Sequence, residues 1–348
     1  MRILFVIAAL RNGGAERVLS AISSGFAKQN EVHIAVLEED LGYYKFPSEA
    51  IFHHLKIYGK SKILNKFRKI SALRSCFKNI APDVIISFID WTNVACVAAN
   101  FGLGFKHIAS EHHENEHLKS LKFRFIRDIA YRNVDGLSVL TQNDIDYYKF
   151  IKNRVILHNP FFLKEPKGLA KENIILSVGR LEFVKGYDLY LKALAKIDKE
   201  VLEDWEIKIA GDGSAGAELK IIADELGLNI KFLGHIEDIE PYYERSKIFV
   251  SSSRSEGLSN VLIEAANFDC ARLSSDTVGG KELINDEVSG LLFKSENKEE
   301  MAAKLTRLIK DENLRQTLVE NARKDLDKFR IDNVMQKWQN FVDEVVAK

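Results

Sequence analysis

The sequence predicts an α/β protein made of two doubly wound parallel sheets in tandem. Three observations predict it: short apolar runs alternate with helical segments, this alternation breaks near the middle of the chain, and it then starts again. The length of 348 residues suits about two domains. Because such sheets bind ligands at the carboxyl ends of their strands, two of them facing each other would form a cleft between the domains.

The first domain is predicted to span residues 1–163. Its opening apolar run, residues 3–10, is short and leads directly into Gly13 and Gly14, which favours a buried strand and a glycine-rich turn over a signal peptide. Further runs of β-branched residues predict strands at residues 31–37, 84–88, 107–110, 137–140 and 155–157.

The second domain is predicted to span residues 164–330. Pro160, Pro166 and Gly168 interrupt the alternation and mark the boundary. Strands are predicted at residues 174–178, 207–210, 230–233, 248–251, 271–274 and 290–293. The chain ends in a helix, residues 331–348, which is predicted to pack back on the first domain.

Composition excludes several classes of protein. The hydrophobic fraction of 46% and the charged fraction of 29% are those of an ordinary globular chain, which excludes disordered and collagen-like architectures. The longest apolar runs fall short of the ~18 residues that a membrane-spanning helix needs. Cys76, Cys96 and Cys270 form no CxxC pair and no even framework, which predicts a cytoplasmic location.

The net charge of zero hides an asymmetry between the two halves. Residues 1–160 hold 22 Lys and Arg against 15 Asp and Glu, a balance of +7. Since the totals are 50 and 50, residues 161–348 hold 28 against 35, a balance of −7. The first half is therefore expected to meet something anionic: nucleic acid, a phosphorylated ligand or a membrane surface.

The strongest candidate site follows the predicted strand 174–178. Arg180 and Lys185 lie just beyond its carboxyl end, where a parallel sheet exposes its ligand crevice. A guanidinium pairs bidentately with phosphate oxygens and an ammonium acts as a point charge, so the two suit a diphosphate. The alternative is a pair of solvated surface charges, and the pair alone does not decide.

A second candidate is a pair of carboxylates eight positions apart, Glu256 and Glu264. Ser259 and Asn260 between them are good N-cap residues, and the N–H groups of Ser259, Asn260 and Val261 at a helix N-terminus suit phosphate oxygens. Glu264 is placed to accept hydrogen bonds from a ribose diol, and Glu256 to face a reacting sugar. The alternative is an ordinary capped helix with a glutamate at each end.

Two weaker signals lie at strand ends of the first domain. Gly13 and Gly14 allow the backbone to approach a ligand closely and to donate N–H groups to it. His112 follows the predicted strand 107–110, where it would touch a ligand from the opposite domain. A purely structural histidine is the alternative.

Four motif matches carry less weight. Residues 113–117 match the HExxH zinc signature but fall in a polar loop without a third ligand. Residues 211–216 match GxGxxG, but the acidic residue expected further on is not evident. Residues 59–61 lack the upstream glycine of a phosphate-binding loop, where His54 stands, and Asp144 and Asp146 lie in a helical segment of the wrong fold for a metal-dependent transferase.

Together these motifs resemble the retaining glycosyltransferases of family 4, which have the GT-B architecture of two facing Rossmann-like domains. The resemblance covers nearly the whole chain and is carried by residues 13–17, 179–186, 211–213, 232–234 and 256–264. Residues 87–90, 110–112 and 137–140 are similar to the members that extend polyprenyl-diphosphate-linked oligosaccharides, above all the N-acetylgalactosamine transferases of bacterial N-glycan assembly.

The resemblance implies a role for each matching residue. Arg180 and Lys185 would bind the nucleotide diphosphate and stabilise the leaving group. Glu256 would hold the donor sugar, Glu264 the ribose, and His112 would contact the transferred sugar. The other donor-binding residues that it implies are Gly13, Gly14, His235, Ile236, Leu258, Ser259, Asn260 and Val261.

The resemblance also implies a reaction and its partners. N-acetylgalactosamine would pass from a UDP-sugar, as an α-linkage, to an undecaprenyl-diphosphate-linked oligosaccharide at the inner face of the cytoplasmic membrane. No divalent metal, no other cofactor and no nucleic acid are expected. Two alternatives stay open: a related transferase of surface polysaccharide or lipopolysaccharide synthesis, and a non-catalytic protein that binds nucleotide sugars or anionic lipids.

A basic segment suits the acceptor side of this reaction. Residues 60–78 hold seven basic residues and no acidic one, and their apolar residues recur every three or four positions, which predicts an amphipathic helix. Such a helix can lie on an anionic membrane or offer Lys62, Lys66, Arg68 and Lys69 to a lipid diphosphate. The alternative is a domain helix with its apolar side packed inward. A second basic stretch, residues 119–132, supports an anionic surface.

Overall fold

The computed structural model describes residues 1–11, 13–39, 41–58, 62–112, 120–161 and 164–348, without the side chains of Lys62 and Ile63. The chain forms two compact units. The first comprises Met1–Pro160 and Ile331–Lys348, and the second comprises Phe161–Arg330. The predicted α/β class is confirmed, with one doubly wound parallel sheet in each unit.

The first unit is built on a sheet of seven parallel strands in the order β3-β2-β1-β4-β5-β6-β7. The strands are β1 (Arg2–Ile7), β2 (Glu31–Val36), β3 (Ile51–His54), β4 (Val84–Phe88), β5 (Lys106–Ser110), β6 (Gly136–Val139) and β7 (Arg154–Ile156). The helices are α1 (Gly14–Phe26), α2 (Lys62–Ile80), α3 (Asp90–Asn100), α4 (Leu121–Tyr131) and α5 (Gln142–Tyr147). The central strands are apolar along their length because helices cover both faces of a parallel sheet.

The second unit is built on six parallel strands in the order β10-β9-β8-β11-β12-β13. The strands are β8 (Glu172–Val178), β9 (Glu206–Ala210), β10 (Ile230–Gly234), β11 (Ser246–Ser251), β12 (Ala271–Ser275) and β13 (Leu291–Phe293). The helices are α6 (Tyr187–Leu194), α7 (Lys199–Leu202), α8 (Gly216–Glu225), α9 (Glu240–Arg245), α10 (Asn260–Asn267), α11 (Val278–Leu283), α12 (Lys298–Lys310) and α13 (Glu312–Lys324). Short 3₁₀ turns lie at Phe183–Lys185 and Leu326–Phe329.

The last helix, α14 (Ile331–Ala347), belongs to the first unit. Its apolar face, with Trp338 and Phe341, is buried in the same core as Phe5 of β1 and Phe26 of α1. The chain therefore leaves the first unit, builds the second and returns to complete the core of the first.

The boundary between the units lies slightly before the predicted one at residues 163 and 164. The backbone N–H of Phe161 donates to the carbonyl of Phe329 (2.7 Å), and Phe161 forms a bridge with Arg330. These bonds tie Phe161 to the second unit, so the division falls after Pro160. The prolines and the glycine indicated the segment but not the residue at which pairing begins.

The sequence analysis missed β3, which pairs with β2 at the edge of the first sheet. Its residues, Ile51–His54, are partly or fully exposed and include two histidines, so the strand has no run of buried β-branched residues. Within the described parts of the chain, no helix combines the length and the apolar character needed to cross a membrane.

Candidate active site

The strand order of the second sheet reverses between β8 and β11, which are hydrogen-bonded neighbours. Loops that leave the carboxyl ends of such strands diverge to opposite sides, and the crevice between them is the usual ligand site of a doubly wound sheet. Gly179 and the turn Phe183–Lys185 follow β8, and residues 252–259 follow β11. Apart from His235 and Ile236, which follow β10, the predicted donor residues of the second domain are thus distributed around one strand junction.

Lys185 and Glu256 meet at this junction. Lys185 Nζ lies 2.5 Å from Glu256 Oε2, and the two side chains are only 20% and 19% exposed. Ser253 Oγ also donates to Glu256 Oε2 (3.1 Å), and Ser252 Oγ donates to the carbonyl of Lys185 (2.9 Å). A cation and a carboxylate from two separate segments are therefore held together in a half-buried position.

Gly186 explains how closely these segments approach. It has a φ of +66°, a conformation that glycine adopts at little cost. A Cβ atom at this position would overlap the carbonyl oxygen of Ser252. The glycine of the Arg180–Gly186 motif thus lets the β8 turn rest directly on the β11 loop.

Arg180 is not part of this pair. Its side chain is 71% exposed, and Nη1 donates to Glu182 Oε1 (3.1 Å). The structure therefore places one of the two predicted diphosphate cations in the half-buried pair and the other at the surface of the same loop.

Arg254, which the sequence analysis missed, connects the two segments. Its Nη1 and Nη2 donate to the two carboxylate oxygens of Asp188 (2.7 and 2.9 Å), Nε donates to Glu296 (2.6 Å), and Nη1 also donates to the carbonyl of Phe183 (2.7 Å). Its backbone N–H donates to the carbonyl of Val184 (2.8 Å). The loop that carries Glu256 is therefore fixed to the turn that carries Lys185.

The charges around Arg254 reinforce each other. Hydrogen bonds with Asp188 raise the pKa of Arg254. Burial favours the neutral form of Asp188, but hydrogen bonds and the charge of Arg254 outweigh it and lower the pKa of that carboxyl. The ring of Phe183 lies 3.9 Å from the guanidinium carbon and covers it.

Helix α10 begins at the end of the β11 loop. Leu258 and Ser259 are buried, and Ser259 occupies the N-cap position, but its hydroxyl makes no capping bond. Among the described residues, Ser259 Oγ has no hydrogen-bond partner although it is buried. A buried hydroxyl at a helix N-terminus suits an anion better than it suits an apolar core. Asn260 and Val261 form the first turn of this helix.

Glu264 lies one turn into α10, where the buried hydroxyl of Tyr243 donates to its Oε2 (3.0 Å). Burial and the neighbouring carboxylate of Glu264 raise the pKa of Tyr243, so this phenol stays a donor. At the end of β10, the backbone N–H of His235 donates to Asp212 Oδ2 (3.0 Å), and Ile236 is half-buried.

In the first unit, His112 lies where β4, β5 and β6 end. Its ring stacks on Phe88 with centroids 5.3 Å apart, and its Nε2 lies 3.1 Å from Ser110 Oγ. Ser138 Oγ donates to Ser110 Oγ (2.8 Å), and the hydroxyl of Tyr131 donates to the buried carboxylate of Glu111 (2.5 Å). The stacking on Phe88 and the contact with Ser110 therefore hold the ring of His112 in a defined orientation.

The two N-terminal glycines lie at the start of α1. Gly13 is the N-cap residue, in an extended conformation, and its carbonyl accepts a hydrogen bond from Tyr44 Oη (2.9 Å). Gly14 is the first helical residue, and a Cβ there would meet no atom. A ligand can approach Gly14 closely without a steric clash. The surrounding atoms do not themselves require glycine at this position.

The structure divides the predicted acceptor cations of α2. Lys66 Nζ lies 4.1 Å from the ring centroid of Trp91 in α3, and Lys69 pairs with Glu38. Arg68 lines a different cavity, next to Tyr58, and the side chain of Lys62 lies outside the described residues. The three described cations, Lys66, Arg68 and Lys69, therefore do not form a single cluster.

The apolar side of α2 is only partly buried. Leu73, Phe77 and Ile80 are packed in the core, while Phe67 is 68% exposed. The C-terminal half of the helix thus packs inward as an ordinary domain helix does. The N-terminal half exposes an aromatic side chain among basic residues.

The weaker motifs receive little support. The HExxH match at residues 113–117 and the match at residues 59–61 lie outside the described residues. Asp144 lies in α5, where the hydroxyl of Thr141 donates to its Oδ2 (2.6 Å). Within the described parts of the chain, no three His, Cys, Asp or Glu side chains are placed to hold a metal ion.

Comparison with known proteins identifies the family. Residues 161–325 match the family model described as glycosyl transferases group 1. The chain is 37% identical, over 99% of both chains, to a GalNAc-α-(1→4)-GalNAc-α-(1→3)-diNAcBac-PP-undecaprenol α-1,4-N-acetyl-D-galactosaminyltransferase of Campylobacter jejuni. It is 27% identical to the amylovoran biosynthesis glycosyltransferase AmsD of Erwinia amylovora, over 98% of this chain and 99% of that one.

Solved structures agree on the fold. The crystal structure of Anabaena HepE in complex with UDP superposes with a TM-score of 0.82 at 19% identity, covering 99% of this chain and all of HepE. The resemblance found in the motifs is thus confirmed along the whole length of the chain. The chain belongs to the group 1 glycosyl transferases, with the GT-B fold, and is a sugar-transferring enzyme.

Proposed function

We propose that this enzyme transfers N-acetylgalactosamine from UDP-N-acetylgalactosamine to an undecaprenyl-diphosphate-linked oligosaccharide, with retention of the α-configuration. The observation that carries the proposal is the Lys185–Glu256 pair at the β8–β11 junction. It supplies a cation for the diphosphate and a hydrogen-bond acceptor for the donor sugar at one half-buried position. The substrate class follows from the transferase of Campylobacter jejuni, which is 37% identical over 99% of both chains and whose name specifies an undecaprenol-linked acceptor.

The reaction breaks the bond between sugar C1 and the β-phosphate oxygen and forms a bond from the acceptor oxygen to C1 on the same face. The acceptor proton passes to an oxygen of the departing diphosphate. Negative charge develops on that diphosphate, so groups that stabilise it lower the barrier most. Lys185, Arg180 and the N-terminus of α10 with Ser259 would supply this stabilisation.

Lys185 can serve the diphosphate without losing Glu256. An ammonium has three donors, and the contact with Glu256 Oε2 uses one of them. The carboxylate of Glu256 would accept a hydrogen bond from a hydroxyl of the donor sugar. In the same way, Glu264 would accept from the ribose while it holds the hydroxyl of Tyr243.

The other predicted roles complete the proposal. Leu258, Asn260 and Val261 would surround the phosphates, and His235 and Ile236 would line the base. Gly13 and Gly14 would bring backbone close to the donor, and His112 would contact the transferred sugar. No divalent metal is expected to be needed, so transfer should persist in excess EDTA, and loss of activity that Mg²⁺ or Mn²⁺ restores would contradict this.

We propose that the first unit binds an anionic membrane from its cytoplasmic side. Leu121 and Phe125, one turn apart on α4, are 77% and 66% exposed, and Ile129 continues the stripe at 48%. Lys122 is exposed and Arg124 is partly exposed beside them. An apolar stripe with basic neighbours suits the interface between headgroups and acyl chains.

A panel of substrates tests the proposal. The purified chain is supplied with UDP-N-acetylgalactosamine, UDP-N-acetylglucosamine, UDP-galactose or UDP-glucose and an undecaprenyl-diphosphate-linked oligosaccharide, and products are identified by mass and by the anomeric coupling of the new linkage. We expect an α-linked N-acetylhexosamine only with the first donor. Transfer to a polysaccharide repeat-unit acceptor instead would favour a surface-polysaccharide enzyme, in line with the similarity to the amylovoran transferase. Binding of UDP-sugars without release of UDP in any of these mixtures would refute the proposed transfer.

Substitutions test the site. Lys185→Ala, Arg180→Ala and Glu256→Ala are each expected to lower the transfer rate by about 100-fold or more, because each removes a contact to charge in the transition state. Lys196→Ala is the matched control, since it removes a lysine that pairs with Glu299 on the surface of the same unit (3.2 Å). Wild-type rates in the three variants would refute the assignment.

A further inference from the structure

A cavity of about 490 Å³ lies in the first unit, between α2 and α3. Ala8 and Leu37, which follow β1 and β2, contribute to its lining, so it opens at the carboxyl ends of these strands. A volume of several hundred Å³ with mostly apolar walls and a few polar groups is typical of a small-molecule site.

Two alanines of α3, Ala95 and Ala98, keep this cavity open because their side chains are small. Trp91, Ala95 and Ala98 line it, and their spacing of four and three residues places them on one face of the helix. Ile70 of α2 also lines it. Longer side chains in place of the two alanines would fill the space, so the cavity is a feature of these particular residues.

One positive charge at the cavity, that of Lys66, has no carboxylate among the described residues to neutralise it. Lys66 Nζ lies 4.1 Å from the ring centroid of Trp91 and 5.4 Å from that of Phe123, and no carboxylate of the described residues is within ion-pair distance of it. The second lysine of the lining, Lys69, is paired with Glu38. An aromatic face holds a cation in place and leaves its N–H donors available to an anion.

We propose that this cavity binds the apolar chain of an anionic amphiphile, with the charged head at Lys66. Given the proposed function, on which this identification depends, the chain is the first isoprene units of the polyprenyl-diphosphate acceptor. The match is one of charge and polarity: apolar walls meet the hydrocarbon, and the lysine meets the phosphate nearest to it. The enzyme then recognises its lipid carrier itself in addition to the glycan.

Binding of farnesyl diphosphate and of inorganic pyrophosphate, measured by calorimetry, tests this proposal. UDP is present in excess so that the diphosphate site of the second unit is occupied. We expect farnesyl diphosphate to bind at least about tenfold more tightly than pyrophosphate, because burying the prenyl chain adds apolar contact. Ala95→Phe and Ala98→Leu should remove at least about tenfold of the farnesyl diphosphate affinity and leave pyrophosphate unchanged. Lys66→Gln should weaken both.

The controls separate cavity filling from general damage. Ala98 is exposed, so Ala98→Leu should fold normally, and the melting temperature checks Ala95→Phe. Ala303→Phe and Ala303→Leu make the same changes at an exposed position of α12 in the second unit and should alter neither affinity. Equal affinities for the two probes in the wild type, or unchanged farnesyl diphosphate binding in both cavity variants, would overturn the proposal.

Three further outcomes distinguish this proposal from a bilayer contact and from the proposed function. If the cavity variants lose binding to anionic phospholipid vesicles but keep farnesyl diphosphate binding, the cavity is a bilayer contact and the proposal is wrong. If an acceptor glycan with a benzyl group in place of the polyprenyl chain is used with the same KM, the cavity proposal fails while the proposed function stands. If farnesyl diphosphate binds as expected but no lipid-linked glycan is extended, the proposed function fails and the cavity site stands.

Discussion

Arg254 shows how a residue outside the predicted motifs organises the site. Its guanidinium donates hydrogen bonds to three partners: Nε to Glu296, Nη1 and Nη2 to Asp188, and Nη1 also to the carbonyl of Phe183. A planar fork of donors reaches several partners at once, whereas an ammonium is a point charge. Arg254 precedes Glu256 by two residues and is hydrogen-bonded to the turn that carries Lys185. The geometry of the Lys185–Glu256 pair therefore depends on Arg254.

Arg254→Lys keeps the charge and removes the fork, so we expect it to lower the affinity for UDP by roughly tenfold, about 1.4 kcal/mol. The measurement is UDP binding by calorimetry. Arg307→Lys is the matched control, because Arg307 makes an equally bidentate pair with Glu287 (2.7 and 2.9 Å) on the surface of the second unit. An equal loss in both variants, or none in Arg254→Lys, would contradict the role.

In a Lys185→Ala background, the Arg254→Lys change should have little further effect on the affinity for UDP. Arg254 is expected to act on UDP binding by positioning Lys185, and that side chain is absent from this background. A double-mutant cycle measures this coupling directly. Additive losses would mean that Arg254 acts on UDP independently of Lys185.

The residues of the site were predictable only where their chemistry is local in sequence. Lys185 and Glu256 follow two strands directly, so strand prediction alone brings them to one edge of the sheet. Arg254 was missed because its partners lie 66 and 42 residues away, and spacing along the chain holds no trace of them. The exposure of Arg180 is likewise set by the path of a loop. The roles of all these residues in binding stay predictions.

At the scale of elements, buried strands were the most predictable feature. Strands such as β1 and β4 are short buried runs, rich in β-branched residues, that helices cover on both sides. Edge strand β3 escaped because half-exposed residues carry no such signal. The start of α10 was predicted from Ser259 and Asn260, yet Ser259 makes no capping bond. The N-cap propensity of Ser259 and Asn260 therefore identified where the helix begins, but it did not predict what the hydroxyl of Ser259 does there.

Helix α4 is expected to contact membranes through its exposed stripe. Phe125→Glu places a charge where apolar burial is expected and should reduce co-sedimentation with anionic vesicles by at least about tenfold. Ile221→Glu makes a comparable change on α8 of the second unit, where Ile221 is 59% exposed, and should leave vesicle binding unchanged. Vesicle binding that survives Phe125→Glu would leave α4 without this role.

His107 of β5 gives the first sheet a defined pH dependence. It is fully buried, its Nε2 lies 2.7 Å from Ser87 Oγ in β4, and burial lowers its pKa to about 4 despite the charge of Asp135. The unfolded chain protonates this imidazole near its ordinary pKa of about 6.5, whereas the folded chain resists. Stability from this group is therefore complete above about pH 6.5 and falls between there and pH 4, by on the order of 3 kcal/mol.

Urea unfolding at a series of pH values measures this effect. His107→Asn should flatten the decline between pH 6.5 and 4, because it removes the group that binds a proton on unfolding. His54→Asn, at an exposed position of β3, should leave the slope as it is. The same slope in wild type and His107→Asn would show that another group is responsible.

At the scale of the whole molecule, the two units repeat one plan. Both sheets begin with the order of a doubly wound nucleotide-binding fold: each unit's first strand lies beside its second and its fourth. The alternation of strands and helices predicted this plan twice over. The last helix was also predicted to pack on the first domain, and the apolar face of α14 is buried in the core of the first unit. An amphipathic helix does not by itself specify which sheet it will cover, so packing selects its partner.

This return makes the core of the first unit depend on the last residues of the chain. Trp338 is only 1% exposed and packs in the same cluster as Phe5, Phe26 and Val342, whereas the core of the second unit is a separate cluster. Trp338→Ala should therefore destabilise the first unit by about 3–5 kcal/mol through the cavity it leaves. Hydrogen exchange should show lost protection in β1 and β2 and retained protection in β8 and β9. Asn340→Ala, at an exposed position of the same helix, is the control, and an equal loss of protection in both units would mean that they unfold as one body.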